Sequence, residues 1–166
     1  MDQLTREAAV IVRGVVTSTK IEPHPQLKNL TTAVVSMQVL ETYKGQSQKK
    51  LVFRQFVWDL RTQLSPQGYE KGQEVVLFLE PVSEYGLTSP VGLEQGRFRV
   101  TRDRQGRATV LNGRGNAGLF NSVEQRARAQ GKQLSPRTAT LAKQNKSGPL
   151  ALSELEEAIR ALGGDR

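Results

Sequence analysis

Apolar and polar positions alternate along the first two-thirds of the chain with the period of two that a half-buried strand requires. Residues 30–43 show it best: Ala33, Val35, Met37 and Val39 fall on one face, Thr32, Val34, Ser36 and Gln38 on the other. Residues 8–19 are rich in Val, Ile and Thr and read as an earlier strand, with Gly14 marking a bulge or bend. Residues 50–58 form a third strand, in which Val52, Arg54, Phe56 and Trp58 oppose Leu51, Phe53, Gln55 and Val57. Residues 74–80 are almost wholly apolar, which predicts a strand buried on both faces. Residues 96–111 read as a hairpin turning at Asp103-Arg104-Gln105-Gly106.

Pro23 and Pro25 punctuate a loop over 20–29, and Pro66, Gly68 and Gly72 another over 59–73. Residues 82–92 read as loop. Residues 2–7 predict one helical turn capped by Asp2. Beyond 112 the pattern fades. Asn112 to Gly118 reads as a flexible linker, a short helix is predicted over 122–130 between Asn121 and Gly131, and 132–149 reads as unstructured. The chain ends in an amphipathic helix. Leu152, Leu155, Ile159 and Leu162 form its stripe, Ser153 and Glu156 a capping box, and Gly163-Gly164 its stop. A helix of three turns is marginal alone, so it is expected to dock.

These elements predict a mainly β fold, an OB-fold-like Greek-key barrel of five to six strands with a C-terminal helical extension. The expected organisation is a barrel over 1–111, a basic flexible segment over 112–149 and a docking helix over 150–166.

Charge changes the picture in one region. The net charge is +8, yet residues 97–146 alone carry twelve basic and two acidic side chains, while 1–96 are balanced. A basic section raises the prospect of an anionic partner. The candidate anion- or partner-binding residues are Arg54, Arg97, Arg99, Arg102, Arg104, Arg107, Arg126 and Arg128. Phe56 and Trp58, which share a strand face with Arg54, are the candidate stacking residues.

Candidate chemistry is sparse. There is no Cys, which removes thiolate ligation and thiol catalysis. The one histidine, His24, lies between two prolines, which place it in an exposed loop without a second ligand. No Gly-x-Ser-x-Gly elbow or phosphate-binding glycine loop is present. The residues therefore predict binding rather than catalysis, with no metal and no cofactor. No run of apolar residues is long enough for a membrane span.

Residues 9–16 (AVIVRGVV), 41–45 (ETYKG), 72–79 (GQEVVLFL) and 92–100 (GLEQGRFRV) together resemble a group of uncharacterised bacterial exported proteins. Their barrel is similar to the inhibitory domain of tissue inhibitors of metalloproteinases and the netrin module. The resemblance covers roughly 8–111. It implies the fold and an exported, periplasmic or extracellular location, with a leader upstream of Asp2. The animal inhibitors grip the protease zinc through an N-terminal cysteine, which Met1-Asp2 does not supply, so that mechanism does not transfer. The expected function is a non-enzymatic binding or interaction module of the bacterial envelope, its partner a protein or an acidic envelope polymer. The alternative is a single-stranded nucleic-acid-binding protein using the basic section 97–146.

Overall fold

A computed structural model describes residues 1–57, 68–129, 131, 133–144 and 146–163. The chain runs α1 (Asp2–Glu7), β1 (Val10–Pro23), β2 (Thr31–Lys44), β3 (Lys50–Phe56), β4 (Glu74–Leu79), β5 (Arg97–Arg102), β6 (Ala108–Asn112), α2 (Val123–Ala129), α3 (Pro136–Gln144), β7 (Leu150–Ala151) and α4 (Leu152–Gly163). The fold is mainly β with a C-terminal helix. Among the described residues, the strands form one antiparallel sheet of seven, in the order β3-β2-β1-β4-β5-β6-β7, which is not closed. The run β4-β1-β2-β3 is the Greek-key order: a three-strand meander with the fourth strand returning beside the first.

The curl is set in β1. Its pairing with β2 shifts register at Ile11/Val12, Arg13/Gly14 and Val16/Ser18, and each shift adds twist and bend. Gly14 lies at the crease, where a Cβ would come 2.4 Å from the Gln38 carbonyl oxygen on β2. Only glycine lets the two backbones come this close.

Side chains on the two faces form separate cores. The inner core gathers Val12, Val16, Val35, Met37, Phe53 and Leu77 around Tyr69. The outer core packs Ile11, Val76, Phe78 and Phe98 under Leu155 and Ile159 of α4. β4 serves both, sending Val75, Leu77 and Leu79 inward and Val76 and Phe78 outward. That double burial explains its unbroken apolar sequence.

Several local expectations are corrected. The stretch 112–118 is clamped rather than loose. Asn112 and Asn116 exchange backbone-to-side-chain hydrogen bonds at 2.9 and 2.8 Å, and the Asn116 amide donates to the carbonyls of Val110 and Gly148. Asn side chains can replace backbone partners in this way, which composition alone does not reveal. Residues 136–144, read as unstructured, form α3. Pro136 follows Ser135, whose Oγ accepts from the Thr138 N–H at 3.1 Å and donates to Glu157 at 2.8 Å. Leu150–Ala151 adds a short seventh strand against β6.

The two terminal helices are placed differently from their predicted caps. Asp2 lies inside α1 and forms a two-pronged pair with Arg126 at 2.6 and 2.8 Å. In α4 it is Glu154 that accepts from the Ala151 N–H at 3.2 Å, while Glu156 accepts from Tyr43. The stripe itself docks as expected, with Leu155, Ala158 and Ile159 buried.

Candidate functional site

The structure does not gather the predicted basic residues onto one face. Arg54 is half-buried and donates to the Thr32 hydroxyl and to Glu22, both at 2.7 Å. Arg97 is buried, pairs with Glu94 at 2.7 Å and lies 5.0 Å over the Tyr69 ring. Arg102 donates to Glu74 through Nε and Nη2, one edge of its guanidinium, and Arg107 pairs with Asp103 at 2.6 Å across the hairpin turn. Arg126 is committed to Asp2. Arg99, Arg104 and Arg128 are exposed, with no ion-pair partner among the described residues. Arg97 and Arg99 do converge, since a Cβ on Gly68 would meet both guanidinium groups within 2.9 Å. The excess of positive charge in 97–146 is thus largely local to the sequence. Carboxylates from distant segments, Asp2, Glu74 and Glu157 among them, meet it in space. Phe56 is half-buried on β3, and Trp58 lies outside the described residues.

His24 is not exposed. It is 3% accessible and ties two loops together. Its Nδ1 accepts from the N–H groups of Gln26 and Leu27 at 3.0–3.2 Å, so Nε2 carries the hydrogen and donates to the Tyr85 carbonyl at 2.8 Å. The prolines shape the turn, but the ring points inward and pins it to 83–87.

That loop borders the most open part of the sheet. β3 is an edge strand, hydrogen-bonded to β2 on one side. Val57 N–H donates to Thr31 in β2, whereas the Arg54 carbonyl points the other way and accepts from Thr88 N–H at 2.9 Å. By strand alternation, the backbones of Lys50 and Val52 also point away from β2. Residues 87–90 cover the end of this edge, making one parallel bridge to Arg54 and one antiparallel bridge to Leu79. The chain reaches this segment through a turn at Ser83–Gly86. Among the described residues, nothing pairs with the Lys50–Val52 edge, which lies beside a groove of about 310 Å³.

The groove opens onto the inner core. Val10, Leu51, Phe53 and Leu79 line it, with Val82 and Thr88 on the facing side. Val52 is 52% exposed and Val82 67% exposed. A second cleft of about 290 Å³ lies between α1 and the 117–122 turns, but Arg126 and Asn112, its strongest polar groups, are committed to other protein atoms.

Comparison with family models, with characterised proteins and with solved structures finds no match to this chain. The geometry therefore carries the functional argument. Among the described residues, no cluster of three His, Cys, Asp or Glu side chains is arranged to hold a metal ion, and no helix is long and apolar enough to cross a membrane.

The outer face holds the main charged network, and it is used for packing. Arg13 reaches Glu74 at 3.0 Å and both Glu41 and Glu156 at 3.4 Å. Tyr43 donates to Glu156 at 2.5 Å. Burial, then the Glu156 carboxylate, push the Tyr43 hydroxyl far above the usual phenol range. This network fastens α4 to the sheet.

Val52, Val82 and Glu80 are among the groove residues that the sequence reading did not select. Val52 carried a signal: it is an apolar residue on the same strand face as Arg54, away from the inward-facing Leu51 and Phe53.

Proposed function

We propose that this protein is a non-enzymatic binding module that takes an extended segment of a partner protein along the free edge of β3. The observation that carries the reading is the uncovered Lys50–Val52 backbone beside an apolar groove leading to the inner core. An edge of unpaired N–H and C=O groups is a template for a further strand. Apolar side chains at alternate positions of that strand would cover Leu51 and Phe53. The exported location implied by the strand-pattern resemblance belongs to this proposal. The nucleic-acid alternative draws less support, because Arg97, Arg102, Arg107 and Arg126 are already held by carboxylates.

A phage-displayed library of random twelve-residue peptides, panned on the full chain, tests the proposal. Val52→Pro removes the outward N–H without touching the β2 ladder, and proline is tolerated at such an edge position. The expected result is a set of peptides with alternating apolar positions whose synthetic forms bind at least tenfold more weakly to Val52→Pro, while its thermal midpoint stays close to that of the parent protein. Selected peptides that bind both proteins equally, or a library that yields no binder, would overturn the reading.

A further inference from the structure

Resting on the strand-addition reading, we infer that residues 83–88 are an acid-released latch: held by His24, they occupy the Arg54 end of β3, and on acidification they leave it, so that a partner segment pairs along more of the strand. Residues 88–90 are anchored on the β4 side, where Glu80 N–H donates to the Ser89 carbonyl at 2.9 Å and the Thr88 hydroxyl donates to the Glu80 carbonyl at 2.7 Å. On the β3 side Leu87 makes a parallel bridge to Arg54, whose carbonyl accepts from Thr88 N–H at 2.9 Å. A second hold on that side is the His24 Nε2–H on the Tyr85 carbonyl at 2.8 Å. His24 lies in the turn between β1 and β2, so its ring ties the β2-β3 side of the seam to the latch. Gly86 and Thr88 of the latch, with Val82 beside it, wall the groove.

The clasp works only with a neutral ring. Nδ1 accepts from the N–H groups of Gln26 and Leu27, and Nε2 carries the hydrogen given to Tyr85. A second proton can enter only at Nδ1, where it faces those two N–H groups as a rival donor at a residue 3% accessible. An imidazole in water takes that proton below about pH 6.5. The released form therefore binds one proton more than the latched form. Well below that pH, the ratio of released to latched chain rises about tenfold for each unit of acidification. The charged and titratable side chains on the elements around the ring are Glu22 and Arg54, paired at 2.7 Å, and the exposed Lys28, Glu84 and Tyr85. Among the described residues, none of these side chains hydrogen-bonds the ring, so no carboxylate holds a charged imidazolium in the clasp.

Native-state hydrogen exchange, read by NMR on the full chain, tests the latch. Protection of the Thr88 N–H, relative to its intrinsic exchange rate, should fall at least about tenfold between about pH 7.5 and about pH 5, while amides of the β2-β3 ladder keep theirs. In His24→Asn the side-chain oxygen still accepts from the turn N–H two residues on, but it does not titrate, so Thr88 protection should be low and level across the range. Peptides selected from the phage library, chosen without Asp, Glu or His, should bind the parent chain at least about fivefold more tightly at the lower pH, and His24→Asn equally at both. Level Thr88 protection in the parent chain, with peptides still lost in Val52→Pro, would overturn the latch and leave strand addition standing. A pH response that persists in His24→Asn, or a released latch with no gain in affinity, would do the same. A library without binders at either pH would overturn both.

Discussion

The two faces of this sheet are finished in different ways. The outer face is covered by segments from the two ends of the described chain, α1 and α4, and fastened by ion pairs: Arg13 with Glu41, Glu74 and Glu156, Arg160 with Glu41, and Arg126 with Asp2. Among the described residues, no helix lies over the inner face. It is enclosed by the curl of the sheet and by Tyr69, which meets Phe53 edge-on at 5.6 Å between ring centres. A face covered by a separate element can be sealed completely. A face covered by its own curvature leaves a gap wherever the rolled edges fail to meet, and here that gap is the seam at β3. The proposed contact surface lies on the side where the described residues supply least cover.

The sharpest way to break the comparison is to strip the outer cover. Leu155→Asp combined with Ile159→Asp buries two carboxylates without partners, and should cost at least about 4 kcal/mol, enough to abolish a cooperative thermal transition by circular dichroism. An unchanged midpoint would mean that α4 does not hold the outer core together.

A smaller loss is expected from Gly14→Ala, which acts on the curl. The new methyl meets the Gln38 carbonyl at 2.4 Å and the Met37 terminal carbon at 2.6 Å. The side chain can move, but the carbonyl belongs to a ladder. The expected cost is about 2–3 kcal/mol in urea unfolding. A change under about 0.5 kcal/mol would show that the crease tolerates a Cβ.

The mildest effect should appear in alkali. Burial and Glu156 keep the Tyr43 proton on in the folded state, whereas an unfolded tyrosine loses it near pH 10. Above that pH the folded chain binds more protons than the unfolded one, so stability falls as pH rises. Tyr43→Phe should lessen the slope of that fall and cost about 1 kcal/mol at neutral pH. Tyr69, whose hydroxyl burial also pushes up, keeps the slope from vanishing. Equal slopes in the two proteins would exclude Tyr43 as a contributor.

The strands were legible because their signal is local. The period of two in β2, the apolar run of β4 and the i, i+3 and i+7 spacing of Leu152, Leu155 and Ile159 each follow from one element meeting one surface. What the sequence concealed depends on distant partners. Asn112 and Asn116 look like linker residues until Gly148 is seen to accept from the Asn116 amide. His24 looks exposed until Tyr85 faces it. The arginines of 97–146 look like a free basic patch until Asp2, Glu74 and Glu157 arrive from elsewhere. The seam was half-legible. Val52 stands out as apolar opposite Leu51 and Phe53, but nothing in the local pattern shows that the sheet stops there.

The position of β1 between β2 and β4 bears on how the chain is made. The meander of the first three strands leaves the ribosome before its fourth neighbour, and well before the helix that covers Ile11 and Phe78. At roughly 5–20 residues per second, the interval between synthesis of Leu79 and Leu155 is on the order of 4–15 s. For that time the nascent sheet is greasy on its back and unmated along its border.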